Sequence, residues 1–168
     1  MSVVSPQTPN WDSPYEIAAS QEGLFTSEQA ATAGYPLPLI SHHLKGGKMQ
    51  RVRRGIYRLK HFPSGDHEDL VALWLWSERA GVFTHEAALA LHELSDVFPS
   101  KAHLTLPNSW KRRRLRTPEF LVLHHGDMTD EEKSWMGAVP ITAVTRTLND
   151  IARTGGSPEL LAQAATLC

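Results

Sequence analysis

Cysteine is almost missing from this sequence: the single residue, Cys168, comes last. One thiol can build neither an internal disulfide framework nor a metal-thiolate cluster, and a reducing cytoplasm fits that usage. Long apolar runs are missing as well. The longest stretch nearly free of charge, Thr26 to Leu44 with only Glu28 in it, is broken by Gly34, Pro36 and Pro38. The N-terminus has no basic start leading into an apolar run. Neither a membrane span nor a signal peptide is expected. Net charge is the third thing lacking, because 17 Lys and Arg stand against 18 Asp and Glu in 168 residues. Bulk charge therefore points to no polyanionic partner, and only the distribution of charge can do so.

That distribution is uneven. Residues 1–40 hold four acids and no Lys or Arg, residues 41–60 hold seven basic residues and no acid, and residues 61–100 hold seven acids against one Arg. A second basic block, 101–120, has six basic residues and one acid. The densest part of the first block is "KMQRVRRGIYRL", where Lys48, Arg51, Arg53, Arg54 and Arg58 alternate with strand-forming Val52, Ile56, Tyr57 and Leu59.

The flanking segments give this ribbon a context. Residues 1–12 read as a loose Ser/Thr/Pro-rich tail. "SPYE" offers Ser13 as a helix cap, Pro14 as the first helical residue and Glu16 as a capping-box partner, for a helix that stops at Gly23. Thr26 and Gln29 repeat the device for a second helix ending at Gly34. "PLISHHLKGG" spaces Leu37, Ile40 and Leu44 along one face of a third, with Ser41, His42 and Lys45 opposite. Gly55 then supplies a positive-φ turn between "QRV" and "IYRL".

Three short helices followed by a two-stranded ribbon is the order of a winged helix-turn-helix. In that arrangement the third helix enters the major groove of DNA and the ribbon lies along the phosphates. Guanidinium forks suit phosphate oxygens, so the arginines sit where such a wing would use them. The candidate contacts to double-stranded DNA over residues 13–62 are Ser41, His42, Lys45, Lys48, Arg51, Arg53, Arg54 and Arg58.

These residues carry a likeness. "GLFTSEQAATAGY" followed by "LISHHLKGGKMQRVRRGIYRL" resembles the N-terminal domain of AbiEi-family antitoxins of type IV toxin-antitoxin systems. The ribbon pattern falls on Gly47, Met49, Arg51, Val52, Arg54, Gly55, Ile56 and Tyr57. "FTHEAALALHEL", "AHLTLP" and "VPITAVTRTLNDIA" resemble later segments of that family in the same order, so the likeness runs from about Gly23 to Ala152. The resemblance implies a transcriptional autorepressor that binds its own promoter. It also implies a second domain that opposes a nucleotidyltransferase-like toxin. Pro36 and Pro38 depart from the family pattern at the start of the third helix, where they offer no N–H to a phosphate.

Residues 63–168 read as an α+β unit. Asp66 caps a helix running to Ala80 with Leu70, Leu73, Trp74 and Ser77 along one face. Thr84 caps another with Ala87, Ala88, Leu91 and Leu94 inward. Strands follow at "AHLTLP", "FLVLHH" and "AVPIT", then helices around Val144, Leu148 and Ile151 and in "SPELLAQAATLC". Between the first two strands "WKRRRLR" reads as a hairpin loop. Its Lys111, Arg112, Arg113, Arg114 and Arg116 form a second basic patch, which serves as a solvated loop, a further phosphate contact, or a dock for acidic protein or toxin-bound RNA.

Catalysis is not expected. No Gly-rich phosphate loop, nucleophile elbow or Cys–His pairing is present, and no carboxylate–Lys cluster of nuclease type. His85 and His92 lie two turns apart, about 10 Å along a helix and too far for one ion. His124 and His125 alternate across a strand. No metal ligands or cofactor are therefore assigned. Two alternatives of a different class are a protein-interaction module without DNA function and the DNA-targeting part of a nuclease whose catalytic domain lies elsewhere.

Overall fold

The computed structural model describes residues 10–96 and 99–167. Most of the expected tail, residues 1–9, and Cys168 lie outside the described residues. The chain divides into two compact units, Met1–Trp76 and Ser77–Cys168.

The first unit opens with α1 (Asp12–Ala19), β1 (Leu24–Thr26), α2 (Ser27–Thr32) and α3 (Leu37–Lys45). It continues with β2 (Met49–Arg53), β3 (Ile56–Leu59) and α4 (Glu68–Trp76). The strands form one antiparallel sheet in the order β1-β3-β2. Alternation along the strands gives the sheet two faces. Phe25, Met49, Tyr57 and Leu59 turn to a core completed by Ala18, Ala30 and Ile40 from the three helices and by Tyr35 from the link between α2 and α3. Leu24, Ile56 and Arg58 turn the other way, and α4 packs against β1 and β3. The result is consistent with a small winged-helix-like fold.

Several local expectations change. α1 starts at Asp12, one residue before the expected cap, and the Asp12 N–H donates to Asn10 Oδ1 (3.1 Å). No side chain caps it through Ser13. Trp11 belongs to the fold rather than to a tail, packing edge-on to Tyr35 and His43 at 5.9 and 5.2 Å. α1 also ends at Ala19, leaving room for β1 after Gly23. Gly23 has φ +90°, and a Cβ there would meet Phe62 at 2.7 Å, so only glycine fits. The second capping box is present in full: Thr26 Oγ1 accepts from the Gln29 N–H (3.1 Å) and Gln29 Oε1 accepts from the Thr26 N–H (3.0 Å). In α3, Ile40 is buried while Leu37 is 60 % exposed, so Leu37 joins the outward side instead of the core stripe.

α4 belongs with the first unit, not the second. Its N-terminal end is held by Glu22, whose Oε2 accepts from the His67 N–H (3.1 Å), in place of the expected Asp66 cap. It stops at Trp76 because Glu78 and Arg79 take positive φ values of 55° and 63°.

The second unit is a five-stranded mixed sheet in the order β6-β5-β4-β8-β7. Its strands are β4 (Val82–Phe83), β5 (Ala102–Leu106), β6 (Leu121–His125), β7 (Lys133–Met136) and β8 (Val139–Thr142). Its helices are α5 (His85–Leu91), α6 (Val144–Arg153) and α7 (Pro158–Leu167). Leu89, Leu94, Ile151 and Ala164 bring these helices into one apolar cluster. β5 and β6 run parallel. The basic segment between them is therefore a crossover spanning 107–120, not a hairpin, because a tight turn can join only antiparallel neighbours. Among the described residues no helix is long and apolar enough to cross a membrane.

The role of α4 is testable by truncation. A fragment ending at Trp76 should give a cooperative thermal transition. One ending at His61, which uncovers Leu24 and Ile56, should melt at least 10 °C lower or show no transition, since a short domain loses several °C per kcal/mol. Equal melting of the two would place the unit boundary before α4.

Candidate nucleic-acid interface

The basic ribbon is not uniform once folded. β3 is the central strand, so its Arg58 has neighbours on both sides and α4 over it. Only 13 % of the Arg58 side chain is exposed. Its Nε donates to Glu68 Oε1, Nη1 to the carbonyls of Leu59 (3.0 Å) and Lys60 (3.3 Å), and Nη2 to Phe62 O (2.7 Å) and Ser64 Oγ (3.3 Å). A guanidinium with this many partners has no donor left for phosphate. Arg58 is thus withdrawn from the expected contact set: it ties β3 to the chain that leads into α4.

β2 is an edge strand, and its charges behave differently. Arg51 pairs with Tyr57 and Arg53 with Ile56, leaving Val52 as an extra residue between them, a β-bulge that bends the edge. Arg51, Val52 and Arg54 are exposed, while Arg53 is half-buried. Gly55 takes φ +75° at the turn, and its carbonyl accepts from the Ser27 N–H (2.9 Å), fixing the wing tip to the start of α2. Lys48 is exposed at the foot of β2, its ammonium 5.5 Å from the Trp11 ring centre.

α3 presents Leu37, Ser41, His42 and Lys45 to solvent. His43, on the inward side, lies against Trp11 and Tyr35 at 5.2 and 5.7 Å, and burial pushes its pKa below the ordinary histidine value. Pro36 stands at the N-cap and its carbonyl takes the N–H groups of Leu39 (2.9 Å) and Ile40 (3.1 Å). Pro38 falls in the first turn, where its missing donor breaks no helical bond. The first unit therefore holds two exposed sets, one on α3 and one on the bulged edge and tip of the ribbon.

Residues 13–60 match the family model described as a transcriptional regulator, AbiEi antitoxin. The match covers this unit's helices α1 to α3 and its ribbon and ends there, so the likeness read in the later segments is not part of it. Domains of that family are non-catalytic regulatory modules. No curated protein matches the chain.

The second basic patch lies on the exposed crossover of the other unit. Lys111, Arg112, Arg114 and Arg116 are exposed there. Arg113 stacks 3.7 Å over the Trp110 ring and bonds Glu78 Oε1 at 2.8 Å. A residue group that sequence reading passed over also lies in this unit: His85, His103 and His124 converge although they are far apart along the chain. The local pairs considered from sequence do not form; His92 instead contacts Thr142 O through Nε2 (2.7 Å).

Arg58→Ala should lower the stability of the first unit by about 1–3 kcal/mol, the usual cost of stripping the partner from a mostly buried charged group. Urea denaturation of the full chain measures it. A loss near zero would mean that the Arg58 bonds are replaced by water at no cost.

Proposed function

We propose that the first unit binds duplex DNA and that the chain is a transcriptional autorepressor and antitoxin, acting on its own promoter and opposing a nucleotidyltransferase-like toxin. The observation that carries the DNA reading is the joint exposure of α3's outward side and the edge of β2 on one small unit. Seven basic residues and no acid lie between positions 41 and 60. Arg58 is spent within the fold; Lys45, Lys48, Arg51 and Arg54 stay exposed and Arg53 is half-buried.

In this reading α3 lies in the major groove. Lys45 reaches a guanine edge, Ser41 and His42 make less selective contacts, and the exposed Leu37 meets a thymine methyl. Arg51 and Arg54 of the wing, with Lys48, hold the phosphates, which fixes register without reading sequence. The family match over residues 13–60 supports a regulatory role. The toxin-opposing role is assigned to the second unit, whose exposed basic crossover is the surface for a partner.

The wing is tested by salt. Each phosphate contact removed flattens the slope of log K against log salt by about 0.9, so Arg51→Ala with Arg54→Ala should flatten it by about 1.8. An unchanged slope removes both from the interface. The division of labour needs a paired assay. Neutralising Lys111, Arg112, Arg114 and Arg116 should reduce survival under toxin expression while promoter repression in the same strain persists. If both fall together, the crossover is part of the DNA footprint.

A further inference from the structure

The histidines of the second unit meet because three neighbouring elements turn the same way. The Thr84 N–H donates to His103 O (3.0 Å), extending the β4–β5 pairing by one residue, so Thr84 and His103 share a sheet face. Thr105 lies two residues along on that face, and His124 of parallel β6 is its register partner. His85 follows Thr84 directly, with φ 55°, a left-handed backbone that costs a non-glycine residue about 1 kcal/mol or more. That conformation brings its ring to 3.9 Å from His124, centre to centre, and 5.5 Å from His103.

Ring nitrogens from the three residues lie within 4.8 Å of one another. His103 Nδ1 and His124 Nε2 are 3.0 Å apart and share one proton in a hydrogen bond, which a bound ion would displace. Two nitrogens bound to one tetrahedral ion at about 2.05 Å stand about 3.3 Å apart, so this pair is already near that spacing. Polar groups stand behind the outer nitrogens of two of the rings. Thr84 Oγ1 is 2.8 Å from His85 Nδ1 and is itself steadied by Thr105 Oγ1 at 3.0 Å, which leaves His85 Nε2 available. Glu86 Oε2 stands 3.3 Å from His103 Nε2, within ion-pair range but outside hydrogen-bond geometry. A carboxylate or hydroxyl behind an imidazole is the usual support of a metal-ligating histidine.

Charge in the surroundings fits a cation. Burial disfavours the charged form of all three rings, lowering the pKa of His85 and His103 and that of His124 to about 4. Asp150, 7 % exposed, acts electrostatically on His85 and His124. Arg146 Nε holds its Oδ1 (2.9 Å), but its buried Oδ2 has no hydrogen-bond partner, and neither has Glu86 Oε2 in bonding geometry. Arg146 already offsets the Asp150 charge, and the two orphaned oxygens add negative potential at the rings.

We propose that His85 Nε2, His103 Nδ1 and His124 Nε2 bind one divalent transition-metal ion of the zinc class, with Thr84 and Glu86 orienting the rings. Three imidazole nitrogens select Zn²⁺ and its neighbours over Mg²⁺ or Ca²⁺, which require oxygen. The rings of His85 and His124 are stacked 15° from parallel, so as they stand they cannot both aim a lone pair at one ion. Ligation turns one of them about its broad ring torsion. The ion then clips β5 and β6 to the start of α5 and keeps a fourth position for water or a partner's side chain.

The test uses the untagged full chain, stripped with chelator and titrated with Zn²⁺ in a calorimeter. One equivalent should bind. His103→Ala with His124→Ala should weaken binding at least about 100-fold and Glu86→Gln about 10- to 100-fold, while His92→Ala and His125→Ala should leave it unchanged. X-ray absorption of the wild-type zinc complex, which depends on no variant folding, should give three imidazole nitrogens at about 2.0–2.1 Å. Absence of stoichiometric binding, a shell with fewer than three imidazoles, or full binding by the double variant overturns the site.

Discussion

The first unit depends on β3 having a strand on each side. Paired with β1 on one edge and β2 on the other, it fixes which residues of the basic ribbon face the helical core, which face α4, and which are left at the free edge. Tyr57 and Leu59 anchor one face and Ile56 the other, so the strand cannot slip by one residue without exposing both cores. The same register carries Arg58 to Glu68 and leaves Arg51 on an edge strand beyond the apolar core.

The cations of the chain consequently do two kinds of work. Arg58 and Arg113 act within their units, the first by joining β3 to α4, the second by stacking on Trp110 and pairing with Glu78. Lys45, Lys48, Arg51 and Arg54 on one unit and Lys111, Arg112, Arg114 and Arg116 on the other remain exposed. A charge is available to a polyanion only after the fold has taken its share. Edge position and the bulge at Val52 protect the wing in a second way, because an irregular, charged edge resists pairing with another sheet.

Local chemistry was legible in the sequence where it depended on neighbours a few residues away. The Thr26–Gln29 capping box, the Gly34 and Gly55 positive-φ positions, α3, the β2–β3 ribbon and α6 are all such features. What depended on distant pairing was not legible. An acid-free window from 41 to 60 hides Glu68, ten residues beyond Arg58, and only the placement of α4 brings them together. Strand direction has no local signature, so the parallel β5 and β6 read as a hairpin. His85 could be judged only beside His92, and His124 only beside His125. The sheet order that unites His85, His103 and His124 is a property of the whole unit. Leu37 satisfied the apolar spacing of α3 yet faces solvent, since periodicity does not reveal where a core ends.

The central claim is that α3 and the wing form a single DNA-facing surface. Amide chemical-shift mapping of the ¹⁵N-labelled full chain during titration with duplex DNA at low salt tests it directly. The account predicts perturbations concentrated in residues 37–45 and 48–55, reversed by added salt, with His43 and Arg58 shifting least within those elements and β3. Perturbations confined to 110–116, or none at DNA concentrations that saturate nonspecific binders, would contradict it.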